Sequence, residues 1–261
     1  MISRAGYEMN QNLICFFSAT GNSLQTAKDI AGRLQNTELI PMTKQDVSIA
    51  GYERVGFVFP CYGEGLPNIV RRFIGHLSFP KNIYYFTVVT GGEEPGNCIP
   101  QINKLLKKKG VSLDYGGFVK MYGNYLIMHP QPDNAEEQAA KAHTASTQIA
   151  DDIVLKKKTE IPKSKFSYAF AYAILAPNFK RGAKLNFKVT DACISCGKCV
   201  RVCPASNIKL KSGRPVFGNR CELCVACIQW CPQKAIIGGK ATSTSRRYHH
   251  PNITFDEICE R

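Results

Sequence analysis

Short apolar runs alternate with helical stretches through the first 150 residues of this chain. Leu13-Ile14-Cys15-Phe16-Phe17 reads as a buried strand, and Asn22 to Leu34 as an amphipathic helix. Glu38-Leu39-Ile40 is a short strand, and Arg54 to Pro60 a buried one, followed by a helix from about Pro67 to His76. Ile83 to Thr90 gives a fourth strand, then a helix runs from about Ile99 to Lys109. Gly117 to Met128 reads as a fifth strand, and Asn134 to Lys158 as a long helix. This β-α-β-α order predicts a parallel sheet with helices on both faces.

Beyond residue 158 the pattern changes. Residues 159–188 read as a linker carrying Pro162, Pro177 and the aromatic stretch Phe166-Ser167-Tyr168-Ala169-Phe170-Ala171-Tyr172. That stretch is expected to pack between two domains; a membrane-surface helix is the other reading. The internal repeat lies in 189–238. Its first half runs Cys193-Ile194-Ser195-Cys196-Gly197-Lys198-Cys199 to Cys203-Pro204, and its second runs Cys221-Glu222-Leu223-Cys224-Val225-Ala226-Cys227 to Cys231-Pro232. The tail, 239–261, is polar and expected on the surface, with His249 and His250 solvated or packed. The expected units are therefore 1–158, the linker 159–188, 189–238 and the tail.

Of the twelve cysteines, eight belong to that repeat, in two C-x2-C-x2-C-x3-C-P runs. Disulfide frameworks belong to short secreted chains. Here Met1 to Asn12 is polar, the apolar run from Leu13 is too short for a signal peptide, and no window approaches the roughly 18 apolar residues of a membrane span. A cytoplasmic protein with metal-binding cysteines is the expectation. Zinc ribbons use paired C-x2-C spaced about 12–20 residues apart. Iron–sulfur cubanes take soft thiolates in just the runs seen here, the fourth cysteine reaching to the other cluster. Cys193, Cys196, Cys199 and Cys231 are thus assigned to one [4Fe–4S] cluster, and Cys203, Cys221, Cys224 and Cys227 to a second. Trp230, beside Cys231, is expected to shield a cluster. Residues 189–238 resemble a bacterial two-cluster ferredoxin, which implies a small pseudo-symmetric β-α-β fold and one-electron transfer.

The first strand ends in Phe17-Ser18-Ala19-Thr20-Gly21-Asn22-Ser23 before a helix. Hydroxyls of Ser18, Thr20 and Ser23, a turn at Gly21, and free N–H groups at the helix start can hold a phosphate dianion. The same residues also cap helices without any ligand. Neither a Walker loop nor G-x-G-x-x-G is present. Two further loops, Pro60-Cys61-Tyr62-Gly63 and Thr90-Gly91-Gly92-Glu93-Glu94, follow the third and fourth strands, on the edge where open α/β sheets bind ligands. Tyr62 could stack on a flat ring, while Cys61 reads as a small loop residue and Cys15 and Cys98 as packing positions. Residues 11–155 resemble the flavodoxin family, its phosphate loop appearing as Ser18-x-Thr20-Gly21-x-Ser23. The resemblance implies a five-stranded parallel sheet of order 2-1-3-4-5 and FMN bound by Ser18, Thr20, Gly21, Asn22, Ser23, Pro60, Cys61, Tyr62, Gly63, Thr90, Gly91 and Gly92. The third loop lacks the family's aromatic, which leaves one ring face bare or covered by another element, such as the ferredoxin part.

The whole chain resembles bacterial flavodoxin–ferredoxin fusion proteins of anaerobes, which implies an electron carrier relaying between FMN and two [4Fe–4S] clusters. An FMN-dependent reductase of a small substrate, fed by its own ferredoxin part, is the alternative; a cluster-based sensing module is a third. No Ser-His-Asp set, catalytic carboxylate pair, nicotinamide fingerprint or nucleic-acid motif is present. Charge adds one clue. The formal net charge is +14, with 17 basic and 14 acidic residues over 1–158 but 17 and 6 over 159–261. That excess fits redox partner proteins of acidic character, an anionic surface, or nothing specific. Lys107-Lys108-Lys109 and Lys156-Lys157-Lys158 read as helix C-terminal cations.

Overall fold

The computed structural model describes residues 11–128, 131, 133–180 and 187–260. Most of the stretch read as free of a leader, and 181–186 of the expected linker, lie outside the described residues. Five strands, β1 (Asn12–Phe16), β2 (Thr37–Pro41), β3 (Arg54–Pro60), β4 (Tyr84–Gly91) and β5 (Tyr115–Lys120), form one sheet in the order β2-β1-β3-β4-β5. Every pairing in it is parallel. This is the flavodoxin-like doubly wound order, with its switch point between β1 and β3.

Alternation along the strands sorts side chains to two faces. Leu13, Cys15, Phe57 and Tyr85 point to one apolar cluster, and Ile14, Phe16, Val58 and Phe86 to the other. Gly56 shows how tight the second face is: a Cβ there would lie 2.1 Å from the Phe86 ring. The first face is covered by α2 (Asn68–His76) and α3 (Cys98–Lys107), the second by α1 (Asn22–Leu34) and α4 (Ala135–Val154).

Three expectations change. The fifth strand ends at Lys120, and residues 121–128 form a loop over the carboxyl edge of the sheet. Within the expected linker lies a helix, α5 (Phe166–Lys180). Its Tyr172 packs where a side chain on Gly65 would stand, 2.4 Å from a Cβ there, and accepts from Arg71, while Phe166 is 84% exposed and Phe170 60%. The helix therefore seats only one face on the sheet domain. The third change is the tail. Tyr248, His250, Ile253 and Ile258 are buried, because the segment and its short helix α8 (Phe255–Cys259) pack on α1 rather than lying on the surface.

The repeat forms two short helices, α6 (Lys198–Arg201) and α7 (Ala226–Gln229), with the antiparallel pairs β6 (Lys188–Val189) to β9 (Ile236–Ile237) and β7 (Ile208–Lys211) to β8 (Arg214–Phe217). Its apolar residues Val202, Ile208, Ile228 and Trp230 join the same cluster that covers the α1 face of the large sheet. No helix among the described residues is long and apolar enough to cross a membrane.

Glu222 fastens the repeat to the sheet domain. Helix α2 begins at Pro67 without a side-chain cap. The Glu222 carboxylate, only 4% exposed, supplies one: it accepts the Ile69 N–H at 3.2 Å and the Arg72 guanidinium at 2.5 Å. Arg72 is half open to solvent, which screens its share. Glu222→Ala leaves a buried N–H without an acceptor and is expected to cost about 2 kcal/mol, read as a lowered thermal midpoint. Glu222→Gln, which keeps an acceptor, should recover about half of it; equal losses in the two variants would refute the capping role.

Candidate functional site

The eight repeat cysteines fall into two groups. Cys193, Cys196, Cys199 and Cys231 line one small cavity with Ile194, Leu210, Pro215 and Ile236. Cys203, Cys221, Cys224 and Cys227 line another with Phe187, Ile208, Phe217 and Val225. Each group thus takes three cysteines from one run and the last cysteine of the other. Among the described residues, no three His, Cys, Asp or Glu side chains converge as for a single metal ion.

The backbone explains the grouping. Left-handed residues recur at matching places in the two halves: Ser195 and Leu223 (φ 58° and 53°), Gly197 and Val225 (71° and 53°), Ser206 and Lys234 (48° and 49°). Each inverts the chain, so successive cysteines face one cavity. Backbone N–H groups also point at sulfur. Asn207 donates to Cys203 Sγ and Ala235 to Cys231 Sγ, both at 3.3 Å, and Leu223 to Cys221 Sγ at 3.4 Å. Such donors stabilise thiolate and cluster sulfur, which is a fit to iron–sulfur ligation. Burial pushes the Cys199 thiol up to about 11 and the Cys221 and Cys227 thiols up as well. Without metal these sulfurs are neutral, and loading metal releases their protons.

A third, larger cavity of about 760 Å³ opens at the carboxyl edge of the sheet. Ser18, Thr20, Asn22, Ser23, Pro60, Cys61, Tyr62, Gly63, Thr90, Gly91 and Gly92 all line it. Gly21 does not. Its φ of 101° makes the turn into α1, and its bare Cα admits the tail, since a Cβ would lie 2.9 Å from both His250 and Ile253. The loop hydroxyls are held in place: Ser18 accepts the Gly21 N–H at 3.2 Å, Ser23 bonds Thr90 at 2.8 Å, and Asn124 donates to Thr20. The first turn of α1 holds no acidic residue, so its N–H groups present an unopposed partial positive charge. A size within the range of small-molecule sites, glycine-lined edges and a preformed anion cradle together suit a phosphorylated flat ring.

Sequence reasoning did not name the rest of the wall, though it allowed the ferredoxin part to cover one ring face. Met121, Tyr122, Gly123, Asn124, Tyr125, Ile127 and Met128 come from the loop after β5, and Leu223 and Cys224 from the repeat. The mixture of Tyr, Gly and Asn in 121–125 is the signal that could have marked a loop. Cys224 borders both this cavity and the second cysteine cavity. Around that border, burial and the neighbouring Cys224 thiol raise Tyr62, and burial lifts Tyr125 to about 12. Both phenols therefore stay neutral at any ordinary pH.

Trp230 does not line either cysteine cavity. It donates Nε1–H to the Ala19 carbonyl at 3.0 Å and stacks on His249 at 4.3 Å, tying the repeat to the phosphate-type loop. Tyr248 completes the tie, stacking on Tyr122 at 4.1 Å and donating to Asn22 at 2.7 Å. Cys15 and Cys98 are buried.

Residues 192–237 match the family model described as a 4Fe-4S dicluster domain. The chain joins a flavodoxin-like sheet to a 4Fe–4S dicluster domain. A 64-residue stretch is 33% identical to a component of the ion-translocating oxidoreductase complex of Methanosarcina acetivorans, a match that takes in 24% of this chain and 24% of that protein's length. Solved structures similar to this chain include a Streptococcus pneumoniae TIGR4 flavodoxin (17% identity, 56% of this chain and 98% of that one, TM-score 0.40). Another is the two-electron reduced Megasphaera elsdenii flavodoxin (19%, 52% and 98%, TM-score 0.37). The assignment of the sheet rests on its strand order. Together the dicluster domain and the fold support a role in electron transfer.

His250 gives the interface a pH signature. Burial pulls its imidazole down from 6.5 to about 4, and its Nδ1 accepts the Asn252 N–H at 3.2 Å, a bond only the neutral ring can make. The unfolded chain takes up this proton first. The stabilisation is complete above the unfolded value and is lost as pH falls from 6.5 towards 4, reaching on the order of 2 kcal/mol. His250→Gln is expected to flatten the thermal midpoint across that window relative to the parent; parallel curves would refute it.

Proposed function

We propose that this chain is a cytoplasmic electron carrier that relays electrons between FMN and two [4Fe–4S] clusters. FMN, when bound, couples two-electron to one-electron chemistry, and the clusters carry electrons singly. Cys193, Cys196, Cys199 and Cys231 hold one cluster, and Cys203, Cys221, Cys224 and Cys227 the other. Ser18, Thr20, Asn22 and Ser23, with the start of α1, take the phosphate. Gly63, Gly91 and Gly92 bring backbone close to the ring, and Tyr62, Tyr122 and Tyr125 supply aromatic walls.

One observation carries the reading: Cys224 borders both the flavin-sized cavity and the second cysteine cavity. That single shared residue makes the second cysteine set the neighbour of the flavin and the first set the remote one. The sequence left one ring face without an aromatic from the third loop. Leu223 and Cys224 of the repeat add to the cavity lining, and the reading has them cover that face.

The test is oxygen-free purification followed by iron, sulfide and flavin analysis. About eight irons, about eight sulfides and about one FMN per chain are expected. A colourless protein, or one holding zinc without acid-labile sulfide, would end the proposal.

A further inference from the structure

Of the twelve cysteines, Cys196 is the one that is exposed. It belongs to the remote set, whose cavity wall also carries Ile194 and Leu210, two large apolar side chains left 59% and 43% exposed. The hairpin of β7 and β8 lies beside them. Ile208, Leu210, Pro215 and Phe217 of that hairpin line the cysteine cavities, so the alternate residues Lys209, Lys211, Arg214 and Val216 face outward. Val216, 50% exposed, pairs with Lys209, and Arg214 pairs with Lys211. The hairpin tip closes on the cluster loop, where a Cβ on Gly213 would stand 2.9 Å from the Ser195 hydroxyl.

Cations outnumber carboxylates there. Residues 187–238 carry eight Lys and Arg against two carboxylates. Glu222 is one of the two, buried against α2. The other is Asp191, held by Arg214 at 3.2 Å. Lys198 lies over the Phe255 ring at the same cavity, and from α8 Asp256 faces Arg201, pairing with it at 2.8 Å. Apolar side chains over a redox centre, rimmed by cations, form a surface that repels basic proteins and attracts acidic ones.

We infer that the edge where Ile194 and Leu210 lie beside the exposed Cys196, with Lys209 and Lys211 projecting from the other side of the adjoining hairpin, is the docking site for a small acidic one-electron carrier protein, which exchanges electrons with the remote cluster. The inference rests on the relay reading, and it fixes where electrons enter or leave. One electron passes between the docked carrier's centre and the remote cluster, one being oxidised as the other is reduced, with no proton or bond involved. The sheet domain covers the other set on the Cys224 side, whereas Cys196 of this set is exposed.

The test uses the full chain with its iron and flavin, an acidic two-cluster ferredoxin as probe, and titration calorimetry beside stopped-flow electron exchange. Binding is expected to weaken steeply with salt. Lys209→Glu/Lys211→Glu should weaken it at least tenfold and slow exchange in parallel. Exchange with a small neutral dye, iron content and flavin content should not change, which separates docking from cluster loss. Salt-independent binding, an unaffected charge-reversal variant, equal binding of a basic cytochrome, or preferential binding of phosphatidylglycerol vesicles would each overturn the inference. A preparation without iron would overturn the relay reading as well; one with iron and flavin but without this binding would overturn the docking site alone.

Discussion

Replacing Cys203 with Ala is expected to empty the second cluster and leave the first intact. Cys203 stands four residues after Cys199 in the chain, so sequence proximity alone would group it with the first set. The fold does otherwise, because it lines the cavity of Cys221, Cys224 and Cys227. A cubane that loses one of its four thiolates is left with an iron the protein no longer holds, and its retention is expected to fail. Iron should therefore fall to about half in Cys203→Ala, as in Cys227→Ala, and the remaining signal should be that of the first cluster. Cys231→Ala and Cys199→Ala should lose the opposite one. Electron paramagnetic resonance of the reduced protein, with iron and sulfide analysis, reads the difference. Stability follows, since ligand binding to the native state is folding free energy. Cys227 sits in the core shared with the large sheet, beside Ala226 and Ile228, both fully buried. Loss of several kcal/mol in a chain of this size corresponds to a thermal midpoint lower by on the order of 10 °C. If Cys203→Ala instead spared the second cluster and lost the first, the assignment of the two sets would be wrong.

A carboxylate in the phosphate loop should be nearly as damaging. Thr20 is 3% exposed and its hydroxyl is fixed by Asn124, just before the free N–H groups of α1. Thr20→Asp would put a negative charge where the proposed FMN phosphate would sit and neutralise the field of the helix. At an effective dielectric near 20, two unit charges about 5 Å apart repel by about 3 kcal/mol, and the phosphate carries more than one. FMN affinity is expected to fall at least about a hundredfold, followed by quenching of flavin fluorescence on titration into the flavin-free protein. Thr20→Val, which removes a hydroxyl without adding charge, should lose only about tenfold. Undiminished affinity in Thr20→Asp would show that the phosphate is not held there. Neither variant touches the repeat, so iron content serves as the folding control.

Much of the large sheet was legible because its strands follow simple rules. β3 and β4 are apolar on both faces, as strands sandwiched between helix layers must be, and their boundaries come within a residue of the apolar runs. β5 misled because Tyr122, Tyr125, Leu126, Ile127 and Met128 look like strand residues. They are apolar for another reason, since together they wall a cavity or join the core. The tail was missed for the converse reason. Its few apolar residues, Tyr248, Ile253 and Ile258, are spaced without period among polar ones, and their partners, such as Asn22 and Tyr122 for Tyr248, lie more than a hundred residues earlier. Local pattern carries no information about such contacts. The cysteine runs were readable at any distance because ligand spacing is itself the chemistry, whereas the entry of Leu223 and Cys224 into the flavin-sized cavity depends on how two units dock.

The seat at Gly21 has a consequence for biosynthesis. The residues that shut the outer side of this early loop, His250 and Ile253, are translated long after it. Because a chain emerges amino end first, the contacts of the tail with this loop form only after the rest of the chain has been made. The packing of the tail against the loop is therefore one of the last contacts of the sheet domain to form during synthesis.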